Sequence, residues 1–120
     1  MIIGGFIMEN NKNYMEQLME IAELKDGWGI DGSGKPFSKL CIERCERMLQ
    51  NMKIKPDIRA TIDEGICFDL YADKIDTEIV VDTNEISGFM TINDVDTTTM
   101  IFETENDAIN FWNIITELAE

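Results

Sequence analysis

Three segments of the chain place their hydrophobic residues at the three-to-four-residue spacing of an amphipathic helix. The first covers residues 11–24, where Asn13 followed by Glu16 is typical of a helix N-terminus with a capping box. The second segment follows Ser38 and the third follows Thr104, and both residue types cap helices well. The residues expected to face the core are Tyr14, Leu18, Ile21 and Ala22; Cys41, Ile42, Cys45, Met48, Leu49 and Met52; and Ala108, Phe111, Trp112, Ile115 and Leu118.

Between the second and third predicted helices the hydrophobic period changes to two, which is typical of strands with one buried face. Turn residues such as Asp63-Glu64-Gly65 separate these runs, and we expect Gly88 to be a weak point or a bulge in the fourth run. The predicted strands cover residues 58–62, 66–71, 77–81, 86–92 and 98–102. The pattern therefore predicts an α+β fold, in which two N-terminal helices, an antiparallel meander of four to five strands and a C-terminal helix pack with all helices on one sheet face.

A glycine-rich loop separates the first two predicted helices. Residues 25–36 contain four glycines and Pro36 around Trp28, and we expect this large aromatic side chain to anchor the loop in the core. Residues 29–35 also match the letters G-x-x-x-x-G-K of a phosphate-binding loop. That site requires a preceding strand and a Ser or Thr after the lysine, whereas here a helix precedes the loop and Pro36 follows the lysine. No nucleotide site is therefore predicted.

The chain contains no histidine, which excludes Ser-His-Asp catalysis, Cys-His catalysis and histidine metal ligands. The remaining catalytic design is a pair of carboxylates, and the candidate pairs are Asp63 with Glu64, Asp69 with Asp73, and Asp94 with Asp96. Several of these acids lie in predicted turns, where they are favoured for local hydrogen bonding. We therefore predict a protein that is not an enzyme, with no catalytic residues, no cofactor and no metal ligands. A carboxylate-based metal-dependent enzyme is the less favoured alternative.

The length of 120 residues, of which 44% are hydrophobic, fits one domain, 1–120, with one core. Residues 1–10 are expected to form either a flexible tail or an extra strand. Three cysteines make an odd count without a C-x-x-C motif, so we expect free thiols in a reducing, cytoplasmic setting. No stretch of the sequence approaches transmembrane length.

Acidic residues dominate the C-terminal part of the chain. The formal net charge is −14 at pH 7, and residues 75–120 contain eleven Asp or Glu but no Lys or Arg. Such a field repels nucleic acid and anionic membranes and attracts basic protein surfaces. Two interpretations are open, because the acids either keep the protein soluble or form a surface for a basic partner. The candidate contact residues are Asp76, Glu78, Asp82, Glu85, Asp94, Asp96, Glu103 and Glu105.

The loop Leu24-Lys25-Asp26-Gly27-Trp28 and the run Thr61-Ile62-Asp63-Glu64-Gly65-Ile66 resemble a loosely defined family of small bacterial proteins. In that family a "DGWDG" loop precedes a helix, and a "P-T-x-D-G-G-I-x-L-E-W" hairpin follows it. The resemblance covers roughly residues 18–81, about half of the chain, and this sequence departs from the motifs at Gly29, Ala60, Glu64 and residues 69–71. Members of the family resemble accessory proteins of mobile elements, so the resemblance implies a fold and assigns no functional residue.

Charge and the missing catalytic groups together favour a small non-enzymatic binding protein. We expect it to be an inhibitor, an antitoxin or a phage-type anti-defence (anti-CRISPR-like) protein that engages a basic, nucleic-acid-binding surface of another protein. The acids would imitate the phosphate field for which a basic groove is built. The alternative is an acidic accessory or structural domain without nucleic-acid mimicry.

Overall fold

The computed structural model describes residues 13–29, 32–62, 65–72, 74–93 and 96–119. Within these residues the chain forms three helices and five strands in the predicted order, which confirms the α+β fold. Residues 1–10, expected to be a tail or an extra strand, lie outside the described residues. The elements are α1 Tyr14–Ala22, α2 Lys39–Asn51, β1 Asp57–Thr61, β2 Gly65–Tyr71, β3 Ile75–Val81, β4 Ile86–Ile92, β5 Asp96–Phe102 and α3 Glu105–Ala119.

The three helices begin where the sequence predicts their N-caps. The side chains of Asn13, Ser38 and Thr104 each accept a hydrogen bond from the backbone N–H three residues later, at 2.9, 3.1 and 3.1 Å. Each cap satisfies one of the N–H groups that a helix N-terminus leaves without an intrahelical partner. No helix in the described part of the chain is long and apolar enough to cross a membrane.

The five strands form one antiparallel sheet in the order β1-β2-β3-β4-β5, so each strand pairs with the next one along the chain. Directly opposed residues lie on the same side of a sheet, and the register therefore defines two faces. Ile66 lies opposite Ala60 and Val81 on what we call the helix face. Arg59 lies opposite Cys67 on what we call the far face.

All three helices pack on the helix face and enclose the core with it. Apolar residues of α1, α2 and α3 join Ile66, Phe68 and Val81 of the sheet in one buried cluster. Trp112 of α3 belongs to this cluster and is fully buried, and its Nε1 donates a hydrogen bond to the backbone oxygen of Ile54 at 2.7 Å. The indole N–H is therefore satisfied although the ring is removed from water.

The expectation that Trp28 anchors the glycine-rich loop in the core is wrong. Trp28 is only half-buried, lies outside the core cluster and donates its Nε1–H to the backbone oxygen of Lys35 at 2.6 Å. Its ring contacts Phe37 at a centroid distance of 5.8 Å, and Gly34 lies directly beneath it. A Cβ atom on Gly34 would come within 2.6 Å of the indole ring. Trp28 thus folds the loop onto itself and contacts Phe37, which packs against the core.

Gly88 is not a bulge, because β4 pairs without interruption with β3 and with β5. Gly88 lies on the helix face between Ile79 and Met100, and a Cβ atom there would approach the Phe102 ring to 2.7 Å. The missing side chain makes room for Phe102, whose ring in turn packs on Phe111 of α3. The glycine therefore serves helix–sheet packing.

Candidate functional site

The structure distributes the predicted contact acids over three places. One end of the sheet, which we call the acidic end, is where β3 and β5 end and where β4 and α3 begin. It carries Asp82, Glu85, Glu103 and Glu105. Asp76 and Glu78 lie on the far face in the middle of the sheet. Asp96 begins β5 at the opposite end, and Asp94 lies outside the described residues. The seven of these acids that the structure describes therefore do not form one patch.

A cavity of about 330 Å³ opens at the acidic end. Its lining includes three of the predicted acids, Glu85, Glu103 and Glu105, together with the apolar side chains of Ile86 and Phe102. Glu85 and Glu103 are exposed and have no ion pair within the described part of the chain. The rest of the lining is mainly polar and includes Arg44, so the cavity combines a small apolar surface with free carboxylates at its rim.

Glu105 differs from the other acids of this end, because two arginines of α2 neutralise it. Arg47 donates from Nε and Nη2 to the two carboxylate oxygens at 2.9 and 2.7 Å. Arg44 Nε lies 3.6 Å from Glu105 Oε2, which is close enough for charge attraction but too long for a hydrogen bond. The hydrogen bonds from Arg47 lower the pKa of Glu105 below its usual value. Glu105 thus joins α3 to α2 and is not a free charge for a partner.

The β3–β4 turn that carries Asp82 and Glu85 is held in place by local hydrogen bonds. The backbone N–H of Asp82 donates to the backbone oxygen of Glu85 at 2.9 Å, and the Asp82 side chain accepts from the backbone N–H of Thr83 at 2.7 Å. The hydroxyls of Thr83 and Ser38 are 2.7 Å apart and join the turn to the start of α2. Glu85 is therefore presented from an ordered turn, which reduces the entropy lost when a partner binds.

A second group of charges lies on the far face. Arg59 of β1 donates from Nε to Asp69 Oδ2 at 2.8 Å and from Nη2 to Glu78. Asp69 is only 4% exposed, whereas half of the Arg59 side chain remains accessible. Burial raises the pKa of Glu78, and the negative charge of Asp69 raises it further. Arg59 therefore bridges two carboxylates that lie on neighbouring strands.

This arginine-centred cluster was not predicted from the sequence, in which Asp69 was a candidate only as half of a carboxylate pair. Its intended partner, Asp73, lies outside the described residues, as do Asp63, Glu64 and Asp94. The signal that could have found the cluster is the charged residue inside the otherwise apolar run Gly65–Tyr71. A buried carboxylate in such a strand requires a nearby donor, and Arg59 is in register to supply it.

The three cysteines are buried free thiols. Cys67 lies on the far face, where burial and the neighbouring Glu78 raise its pKa to about 12. A thiol with so high a pKa is a poor nucleophile at neutral pH. Among the described residues, no three metal-ligating side chains come together as a metal site would need.

Comparisons with protein-family models, with curated proteins and with solved structures give no match for this chain. The resemblance to the "DGWDG" family of small bacterial proteins therefore stays a prediction.

Proposed function

We propose that this protein is a small acidic binding protein whose acidic end engages a basic surface of another protein. The supporting observation is the pair Glu85 and Glu103, two exposed carboxylates without ion pairs in the described part of the chain, at the rim of the 330 Å³ cavity. In this proposal the protein binds and does not catalyse.

The cavity suits the side chain of an arginine or a lysine. Such side chains combine an apolar stem with a charged tip, and they bury the stem along apolar surface. Phe102 offers such apolar surface, while Glu85 and Glu103 offer acceptors for the tip. Arg44 of α2 also lines the cavity, but its charge is balanced by Glu105, 3.6 Å away. Hydrogen bonds between charged partners are about twice as strong as neutral ones, so the rim contributes both affinity and orientation.

The class of partner follows from the overall field. With a net charge of −14, the protein is repelled by nucleic acid and attracted to the basic grooves in which other proteins bind nucleic acid. Occupation of such a groove would inhibit its owner, as an antitoxin or a phage-type anti-defence protein does. Three free thiols are in keeping with a reducing cytoplasm as the place of action.

The experiment that tests the proposal first recovers the partner by pull-down from the native host, and then measures its binding kinetics on a surface. We expect Glu85→Gln/Glu103→Gln to slow association about three- to tenfold, since rim charges act mainly on the association rate. Raising the salt concentration should slow association of the wild type more than that of the variant, because exposed charges are screened beyond roughly 8 Å at physiological ionic strength.

The matched control is Glu23→Gln/Glu117→Gln, which changes the net charge by the same amount at two exposed positions, the C-cap of α1 and the last turns of α3. Glu117 lies twelve residues after Glu105 on α3, or about 18 Å along the helix. The control should associate like the wild type. If both double variants bind equally well and salt has no effect, the acids serve only solubility and the protein is an acidic accessory domain.

A further inference from the structure

A second cavity lies on the far face, in the middle of the sheet, and has a volume of about 210 Å³. Sites for drug-sized ligands usually measure roughly 300–1,000 Å³, so this cavity suits a small linear group rather than a nucleotide. Four neighbouring strands supply its walls. The lining residues that matter here are Arg59, Asp69, Tyr71, Asp76, Glu78 and Phe89.

One carboxylate oxygen in this cavity lacks a hydrogen bond. Asp69 is 4% exposed; its Oδ2 accepts from Arg59, but its buried Oδ1 has no partner in the described structure. Leaving a buried charged acceptor without a donor is costly, and native proteins rarely do so. Asp69 Oδ1 has almost no accessible surface of its own, so a donor from outside the chain would bind there once the neighbouring side chains move aside.

The charges and rings around Asp69 define the kind of donor. Three carboxylates, of Asp69, Asp76 and Glu78, face one guanidinium, and Arg59 already donates to two of them. The remaining field is negative and favours a cation. Tyr71 and Phe89 also line the cavity, and aromatic rings attract organic cations and pack against their methylene groups. A bare metal ion would gain nothing from these two rings.

We propose that the far-face cavity binds an alkylammonium group. Its –NH₃⁺ donates to Asp69 Oδ1 and to the carboxylates of Asp76 and Glu78, and its methylene chain lies between Tyr71 and Phe89. A lysine side chain of a protein and a free polyamine both carry this group. The site is independent of the acidic end, because the residues that line the two cavities are different.

The proposal can be tested by NMR titration of ¹⁵N-labelled protein with n-butylammonium chloride at constant ionic strength. We expect saturable shifts that are largest at the amides of Asp69, Asp76, Glu78 and Phe89. Asp69→Asn keeps the shape of the side chain but removes its charge, and should weaken binding at least tenfold, since hydrogen bonds to charged groups are the stronger ones.

Asp76→Asn serves as a second variant. Asp69 also holds Arg59, so replacing Asp69 disturbs the sheet more than replacing Asp76 does. Asp76 makes no hydrogen bond or ion pair with the described residues, and its replacement should weaken butylammonium binding about three- to tenfold. Glu117→Gln makes the same charge change on α3 and should leave the affinity within about twofold of wild type, as expected for a remote exposed site. Failure of butylammonium to saturate by 50 mM would overturn the proposal, as would equal weakening by Asp76→Asn and Glu117→Gln.

Two further ligands identify the source of the group. Tighter binding of Nα-acetyl-lysine methylamide than of spermidine assigns the cavity to a protein side chain, and the reverse order assigns it to free polyamines. Glu85→Gln/Glu103→Gln should leave the butylammonium-induced shifts at Asp69, Asp76, Glu78 and Phe89 like those of the wild type. A failure of the acidic-end proposal would therefore leave this result unchanged, and the two proposals can be judged separately.

Discussion

The two faces of the sheet are formed by the same strands but differ in the chemistry of their side chains. On the helix face, Ile66, Phe68 and Ile79 are fully buried in the hydrophobic core. On the far face, the alternate positions of the same strands carry Asp69 and Glu78, tied to Arg59. Hydrophobic burial is non-directional and tolerant, whereas a buried charge requires a partner in a defined geometry. The helix face therefore stabilises the fold, and the far face holds charged groups in a defined geometry.

The far face is also less exposed than a sheet face without helices would be. Cys67 and Val80 are almost completely buried there, as is Asp69. The long side chain of Arg59 lies opposite Cys67 in register, and such side chains cover neighbouring surface with their apolar stems. Charge and burial thus coexist on the far face. This combination, which the helix face lacks, raises the pKa of Glu78 and leaves Asp69 Oδ1 without a donor among the described residues.

The largest expected effect comes from the helix face, at Trp112. Trp112→Ala should destabilise the protein by about 3–5 kcal/mol, because it opens a cavity in a close-packed core. Trp112→Phe keeps most of the volume and should lose less, although the backbone oxygen of Ile54 then lacks its donor. Urea unfolding followed by circular dichroism measures both free energies of unfolding. A loss below about 1 kcal/mol for the alanine variant, the range of surface substitutions, would contradict the assignment of Trp112 to the core.

On the far face, Arg59→Met should cost about 1–3 kcal/mol, the usual penalty for leaving a buried polar group unpaired. Methionine retains an apolar stem over Cys67, so the loss reports on the charge. Arg59→Met/Asp69→Asn should recover part of that stability, because the double variant no longer buries an unpaired carboxylate. The urea midpoints of the two single variants and the double variant form a double-mutant cycle. Additive losses would show that the Arg59–Asp69 pair does not contribute as a pair.

The smallest effects are in the pH dependence, where Glu105 and Glu78 should behave oppositely. The pKa of Glu105 is lowered from its usual value of 4.5, so its stabilising contribution is present above that value and is lost as the pH falls through the folded-state pKa. The pKa of Glu78 is raised from 4.5, so its contribution is present below that value and is lost as the pH rises through the folded-state pKa.

Each contribution should stay within roughly 1 kcal/mol, as for other ion pairs near a surface. The measurement is the free energy of unfolding of wild type, Glu105→Gln and Glu78→Gln between about pH 3 and 7. The free energy of unfolding that Glu105→Gln loses relative to wild type should shrink toward low pH. Relative to Glu78→Gln, the wild type should lose free energy of unfolding toward high pH. Parallel curves would show that neither carboxyl changes its pKa on folding.

Local features of the sequence predicted the secondary structure well. The caps at Asn13, Ser38 and Thr104 depend on a backbone N–H only three residues away, so they could be recognised without the fold. The strands could be recognised because their period of two follows from backbone geometry. Gly88 shows the limit of such reasoning. Its role depends on Phe102 of the neighbouring strand, which the sequence alone does not bring next to it.

The sequence by itself determined the order of elements, the α+β class and the acidic character of the C-terminal part, since these depend on neighbouring residues and on composition. Only the tertiary structure decided which tryptophan is buried, because Trp28 and Trp112 differ in what surrounds them and not in chemistry. It also decided which acids remain free. Arg47 meets Glu105 across 58 residues of chain, and Arg59 meets Glu78 across 19. Charge pairing acts through space, so residues distant in the sequence set the local field at each carboxylate.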